Sequence, residues 1–291
     1  MHLLARMARG VALLALAGMV GCSALLGLED PKDRTTSAGG SEIIAMSNRP
    51  IGRSNKIDLL FVIDNSPSMG DKQALLSQAV PDLINRFAAP NCIDDAGNPN
   101  GVRADPTAAA GKECSQGRAE FAPIVDIHVG ILSSSMGGFG STSCDGKAQN
   151  PIDPLLDAHE NDKGHLLNRS GPGEVPVANA SPSNFLAWYP DVPGNAGKPS
   201  GTTPYTGLAA FQDAVSGLVV GVNQYGCGFE APLESFYHFL IQPDPYEAVV
   251  RQDNKAAYSG LDSTILQQRA DFLRPDSLVA IVLLSDEDDS S

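Results

Sequence analysis

The sequence predicts an α/β domain: a mostly parallel, doubly wound sheet flanked by helices and interrupted by long loop insertions. Three observations lead there. Apolar, β-rich runs at residues 56–64, 121–135 and 277–285 are separated by segments with helical spacing. Two of the three runs break abruptly into an aspartate followed by polar residues, as strands do where a sheet opens to ligands. A chain of 291 residues, 42% hydrophobic and 19% charged, can bury the core that such a Rossmann-like sheet needs.

The elements follow in order. Residues 1–21 read as an export signal: Arg6 and Arg9 precede the apolar run VALLALAGMV (11–20), and small residues then lead to Cys22. An uncleaved membrane anchor is the alternative, although the stretch is short and contains glycine. Residues 22–55 are mostly polar and read as a flexible tether with a root-mean-square span of about 30 Å. The domain proper occupies residues 56–291. KIDLLFVID (56–64) is a buried strand, and DKQALLSQAVPDLINRFA (71–88) a helix in which Pro81 predicts a kink or break. Residues 90–120 form a loop-like insertion, and FAPIVDIHVGILSSS (121–135) contains the second strand. Residues 136–205 are a second, Gly/Pro/Ser/Asn-rich insertion, long enough to be functional or disordered. Helices are expected at 206–222, 231–241 and around 262–272, before the last strand SLVAIVLLS (277–285).

Composition narrows the function. A formal net charge of -14 excludes a nucleic-acid backbone as partner, since that needs clustered Lys and Arg. It suits cation binding or a soluble exported surface. With Cys22 set aside, Cys92, Cys114, Cys144 and Cys227 make an even number, which predicts two disulfides among three possible connectivities. Cys92 and Cys114 bracket the first insertion, so a bridge between them would staple it. No Cys/His pattern points to zinc. His128 lies within a strand and is given no role, whereas His159 and His165 lie in a polar loop and are expected to be exposed.

The chemistry concentrates at IDNSPSMG (63–70). Asp64, Ser66 and Ser68 present oxygen at every second position after a strand, and Asp286 follows another strand. Three readings are open: a divalent-cation site, a catalytic aspartate, or a polar turn whose serines cap the next helix.

Two resemblances bear on this. The order Met19-Val20-Gly21-Cys22 resembles a bacterial lipobox, which implies that Cys22 carries lipid and holds the protein on a bacterial membrane in the cell envelope. IDNSPSM together with LLSDEDD resembles the von Willebrand factor A-type domain. In that family a D-x-S-x-S loop forms a metal-ion-dependent adhesion site, here Asp64, Ser66 and Ser68, with Asp286 as second aspartate and Mg²⁺ (or Ca²⁺ or Mn²⁺) as the ion. The family's usual threonine ligand is missing; GCGFE (226–230) occupies its loop, which resembles an exported bacterial subgroup and points to Glu230 as substitute. An ordinary helix-leading acid is the competing role for Glu230. Glu287, Asp288 and Asp289 are expected to form a solvated loop rather than a second cation site. The family's sheet normally continues beyond this point with a helix and a further strand, so the resemblance also implies a truncated chain, or one completed by another.

The expected function is therefore a membrane-anchored binding module that engages a protein or matrix ligand through a divalent cation, not an enzyme. The alternatives are a structural envelope lipoprotein with a degenerate site, and a haloacid-dehalogenase-like phosphatase using Asp64. The phosphatase would need a second carboxylate where Ser66 stands.

Overall fold

The structure is a computed structural model that describes residues 55–189, 205 and 207–290. The signal, Cys22 and nearly all of the tether lie outside the described residues. Along the chain, β1 (Lys56–Ile63) leads through a 3₁₀ turn into α1 (Gly70–Ala88), followed by β2 (Asn91–Ile93), β3 (Pro99–Arg103), β4 (Arg118–Ala119) and β5 (Asp126–Ser133). Next come β6 (Leu186–Trp188), α2 (Leu208–Val220), α3 (Pro232–Leu240), β7 (Ala248–Gln252), β8 (Lys255–Ser259), α4 (Ser263–Phe272) and β9 (Leu278–Leu284).

The main sheet has the order β6-β5-β1-β9. β1 pairs in parallel with both β5 and β9, and β6 pairs antiparallel to β5. Side chains alternate across a strand, and here both faces are covered. Ile57, Leu59, Phe61 and Ile63 pack with Val80 and Ile84 of α1 and with Phe211, Val215 and Leu218 of α2. Leu60, Val62 and Leu132 pack with Phe239 of α3 and with Ile265 and Phe272 of α4. Two apolar faces explain why β1 reads as an unbroken apolar run. Each fully buried Leu, Ile or Phe contributes about 1.5–3 kcal/mol. The fold is thus mixed α/β, with a mostly parallel sheet between helices.

Pro81 does not break α1, which runs through it. Proline has no N–H, so the carbonyl of Ser77 loses its partner one turn ahead. Ser216 Oγ of α2 donates to that carbonyl at 2.9 Å, and Gln212 Nε2 donates to the Pro81 carbonyl at 2.9 Å. The neighbouring helix supplies what the proline removes.

Both insertions carry more structure than their composition predicts. The first folds as a three-stranded sheet, β3-β2-β4, stapled by Cys92–Cys114. The second contributes β6 to the main sheet and a buried ion pair: Arg169 Nη1 and Nη2 donate to the Asp162 carboxylate at 2.9 and 2.8 Å. Its Nε and Nη2 also donate to the carbonyls of Gly221 and Val222, at 2.8 and 3.2 Å. An unanticipated hairpin, β7–β8, turns on Asp253 and Asn254, both at positive φ (49° and 61°), as a two-residue hairpin turn requires.

At the amino end of the sheet, Arg274 binds both Asp58 and Asp126. Beside them His128 is fully buried, with Nδ1 2.9 Å from the Phe272 carbonyl. Burial, reinforced by the Arg274 charge, pulls the imidazole pKa down to about 3. At the other side of the sheet, β9 has β1 as its neighbour among the described residues. Val279, Ile281 and Leu283 stay 43%, 44% and 43% exposed. No described helix is long and apolar enough to cross a membrane.

Candidate functional site

The parallel register places Ile63 opposite both Ser133 and Leu284, so β1, β5 and β9 end at one level. The residues that follow them form the site. The Asp64 amide donates to the Leu284 carbonyl at 2.9 Å, which fixes the first turn beyond the strand. The Asp64 carboxylate is fully buried: Oδ1 accepts from the Ser66 amide at 2.8 Å and Oδ2 from Ser285 Oγ at 2.8 Å. Ser134, just past β5, lies with its hydroxyl 3.4 Å from Asp64 Oδ1.

The two serines of the motif do not cap the helix. Ser66 heads the 3₁₀ turn with no side-chain cap bond, and α1 has none at its own N-cap. Instead Ser66 Oγ lies 3.1 Å from Ser68 Oγ, which donates to Asp286 Oδ1 at 3.0 Å. A line of oxygens therefore runs from the end of β1 to the loop after β9. Asp286 is also engaged on its outer side, where Lys72 Nζ sits 3.0 Å from Oδ2. Bonds from Lys72 and Ser68 hold the Asp286 carboxyl below the usual carboxylate range.

Glu230 is buried just before α3 and lies among acids. Burial pushes its carboxyl pKa up, and the nearby Glu287 and Asp64 carboxylates push the same way against its own backbone amide. In the acidic loop beyond Asp286, Glu287 and Asp288 are exposed, as a solvated loop requires, and Asp289 is half-buried. Asp289 Oδ2 accepts from the Leu233 amide at 2.7 Å, a stabilising place for an anion at the start of α3.

The loop 223–230 is held against the motif by several contacts. Gln73, buried in α1, donates to the Asp64 and Asn223 carbonyls at 2.9 and 2.8 Å. The Gly226 amide donates to the Asn65 carbonyl at 2.8 Å. A Cβ on Gly226 would fall 2.2 Å from the side-chain Nδ2 of Asn65, which its own hydrogen bonds hold in place, so glycine suits this approach. Asn65 Oδ1 in turn accepts from Ser134 and Ser135 hydroxyls at 3.1 and 2.8 Å. The Cys144–Cys227 disulfide ties this loop to the second insertion.

Sequence reasoning missed Asn65, Lys72, Ser134, Ser135 and Ser285. A signal was present in ILSSS, a third strand ending in hydroxyls, but nothing local distinguishes it from a polar turn. The two loop histidines are corrected: each is partly buried and paired, His159 Nε2 with Glu174 and His165 Nε2 with Asp262, both at 2.6 Å.

In comparison with known proteins, no family model, curated protein or solved structure matches the chain. The site has to be judged on its own chemistry. Its donors are carboxylates and hydroxyls, all hard oxygens, which suit Mg²⁺, Mn²⁺ or Ca²⁺. Among the described residues no group of three or more His, Cys, Asp or Glu is placed to hold a metal ion. A cation here would depend on Ser66 and Ser68 as well as on Asp64, Asp286 and Glu230. Burial is the first cause of the raised Glu230 carboxyl, and the Glu287 and Asp64 charges that add to it are what a divalent ion would offset.

Proposed function

We propose that this chain is a von Willebrand factor A-type binding module whose doubly wound domain uses a divalent cation to engage a protein or matrix ligand. Cys22 anchors it by lipid on a bacterial membrane, in the cell envelope. One observation carries the reading: the Ser66 and Ser68 hydroxyls spend no hydrogen bond on capping and line up instead between Asp64 and Asp286. Hydroxyls flanked by carboxylates at adjacent strand ends supply the few direct ligands that Mg²⁺ accepts while keeping its waters. Asp64, Ser66, Ser68 and Asp286 would hold the ion, and Glu230 would supply the remaining acid.

Isothermal calorimetry with Mg²⁺, Mn²⁺ and Ca²⁺ tests this on the wild type and on Ser66→Ala. Saturable binding to the wild type, weakened in the variant, is expected. Absence of binding to the wild type refutes the cation-dependent reading. A second reading, a structural envelope lipoprotein with a cation-free site, is favoured by Lys72, whose ammonium already neutralises Asp286. The same titration separates the two.

A further inference from the structure

Lys72 stands where a cation is least welcome. It lies in the first turn of α1, at the end where the helix dipole repels positive charge. Helical side chains lean toward the N-terminus, and this one folds back over the motif. Its Nζ meets the Ser68 carbonyl at 2.9 Å, Asp286 Oδ2 at 3.0 Å and Asp71 Oδ1 at 3.1 Å. Three acceptors match the three N–H donors of an ammonium. Two of those acceptors belong to Ser68 and Asp286, which the proposed site also needs.

We infer that Lys72 is a built-in competitor for the cation site, holding Asp286 in the cation-free state so that a divalent ion must take over that carboxylate to bind. The inference rests on the cation-site reading. Asp286 offers Oδ1 toward Ser68 and Oδ2 toward Lys72, so one carboxylate is shared between the site and the ammonium. An ion bound against Asp286 weakens the hold on Lys72 and brings two cations together. Asp71 remains as the partner onto which Lys72 can retreat. The effect is a threshold: the site fills only when divalent cation is abundant, and the loop after β9 changes partner as it fills.

The test is Mn²⁺ binding to wild type, Lys72→Met and Lys72→Arg, measured by the electron paramagnetic resonance of free Mn²⁺. Lys72→Met keeps the aliphatic stem and removes the charge, and its dissociation constant is expected to fall about fivefold, the scale of a partly exposed ion pair. Lys72→Arg keeps the charge and is expected to stay near the wild type. Amide exchange of residues 286–289 in cation-free protein is expected to quicken in Lys72→Met. Unchanged or weaker Mn²⁺ binding in Lys72→Met overturns the competitor role and leaves the cation site standing. No binding in any of the three proteins overturns both.

Discussion

Replacing Arg169 by methionine is the sharpest test of how the second insertion supports the site. The guanidinium makes two bonds to Asp162 and one each to the carbonyls of Gly221 and Val222, the residues just before the site loop 223–230. Methionine fills much of the arginine stem's volume but supplies no donor. Asp162 would keep Ser133 Oγ, at 2.5 Å, and the more distant His159 Nδ1, at 3.8 Å, in a buried place. Breaking one side of a buried pair costs about 3–5 kcal/mol, because a charge is left uncompensated. That is a large part of the stability of an ordinary domain, about 5–15 kcal/mol. Urea denaturation at neutral pH should therefore report a loss of about 4 kcal/mol. The double variant Asp162→Asn/Arg169→Met, which removes the stranded charge, should recover a substantial part. The loss should also shrink in acid. Burial alone would raise the Asp162 carboxyl, but Arg169 and the Ser133 hydroxyl outweigh it and hold the pKa below its usual value. Unfolded aspartate titrates near 4, so the pair's contribution is complete above about pH 4 and is lost as pH falls through the lower native value. A loss below about 1 kcal/mol at neutral pH, or a double variant no better than the single, would refute the reasoning.

Other expectations concern separate parts of the molecule. His128 titrates near 3 in the native state, against an ordinary value of 6.5, so the unfolded chain takes up its proton first as pH falls. Stability is expected to drop by about 2 kcal/mol from pH 7 to pH 5 through this group, and denaturation profiles of His128→Phe should lack that component. Gly226→Ala forces a Cβ against the Asn65 amide and is expected to cost about 1–3 kcal/mol while weakening Mn²⁺ binding; an unchanged melting curve and affinity would count against the close packing. Opening the Cys144–Cys227 bridge with paired serines is expected to cost about 2–4 kcal/mol by urea denaturation, and to raise amide exchange in residues 223–230.

The sheet was legible because its central strands, β1 and β5, are buried on both faces. An uninterrupted run such as KIDLLFVID has few other stable placements, and α2, α3 and α4 carry apolar residues at helical spacing. What could not be read is what depends on partners distant in sequence. Pro81 looks like a breaker until Ser216 and Gln212 are brought against it from α2. The insertion 136–205 looks irregular because its order comes from Arg169 reaching residues 221 and 222, not from any periodicity. At the site, Asp64, Ser66, Ser68 and Asp286 lie along one run of hydrogen bonds between two strand ends. Lys72 escaped notice because a lysine on an exposed helical turn is ordinary until its carboxylate arrives from 214 residues further along the chain, Asp286 against Lys72.

The cysteine pairing has a consequence for how the molecule is made. Cys92 and Cys114 are 22 residues apart, whereas Cys144 and Cys227 are 83 apart and neither falls between the first two. A chain that meets oxidant N-terminus first can close the near pair before the other two cysteines emerge. Only Cys22 could then compete, and a lipid on its sulfur would remove it. For a chain exported in that direction, order of emergence would select the native pairing without trial and error, and the site loop would be locked last, after every strand but β7, β8 and β9 has been delivered.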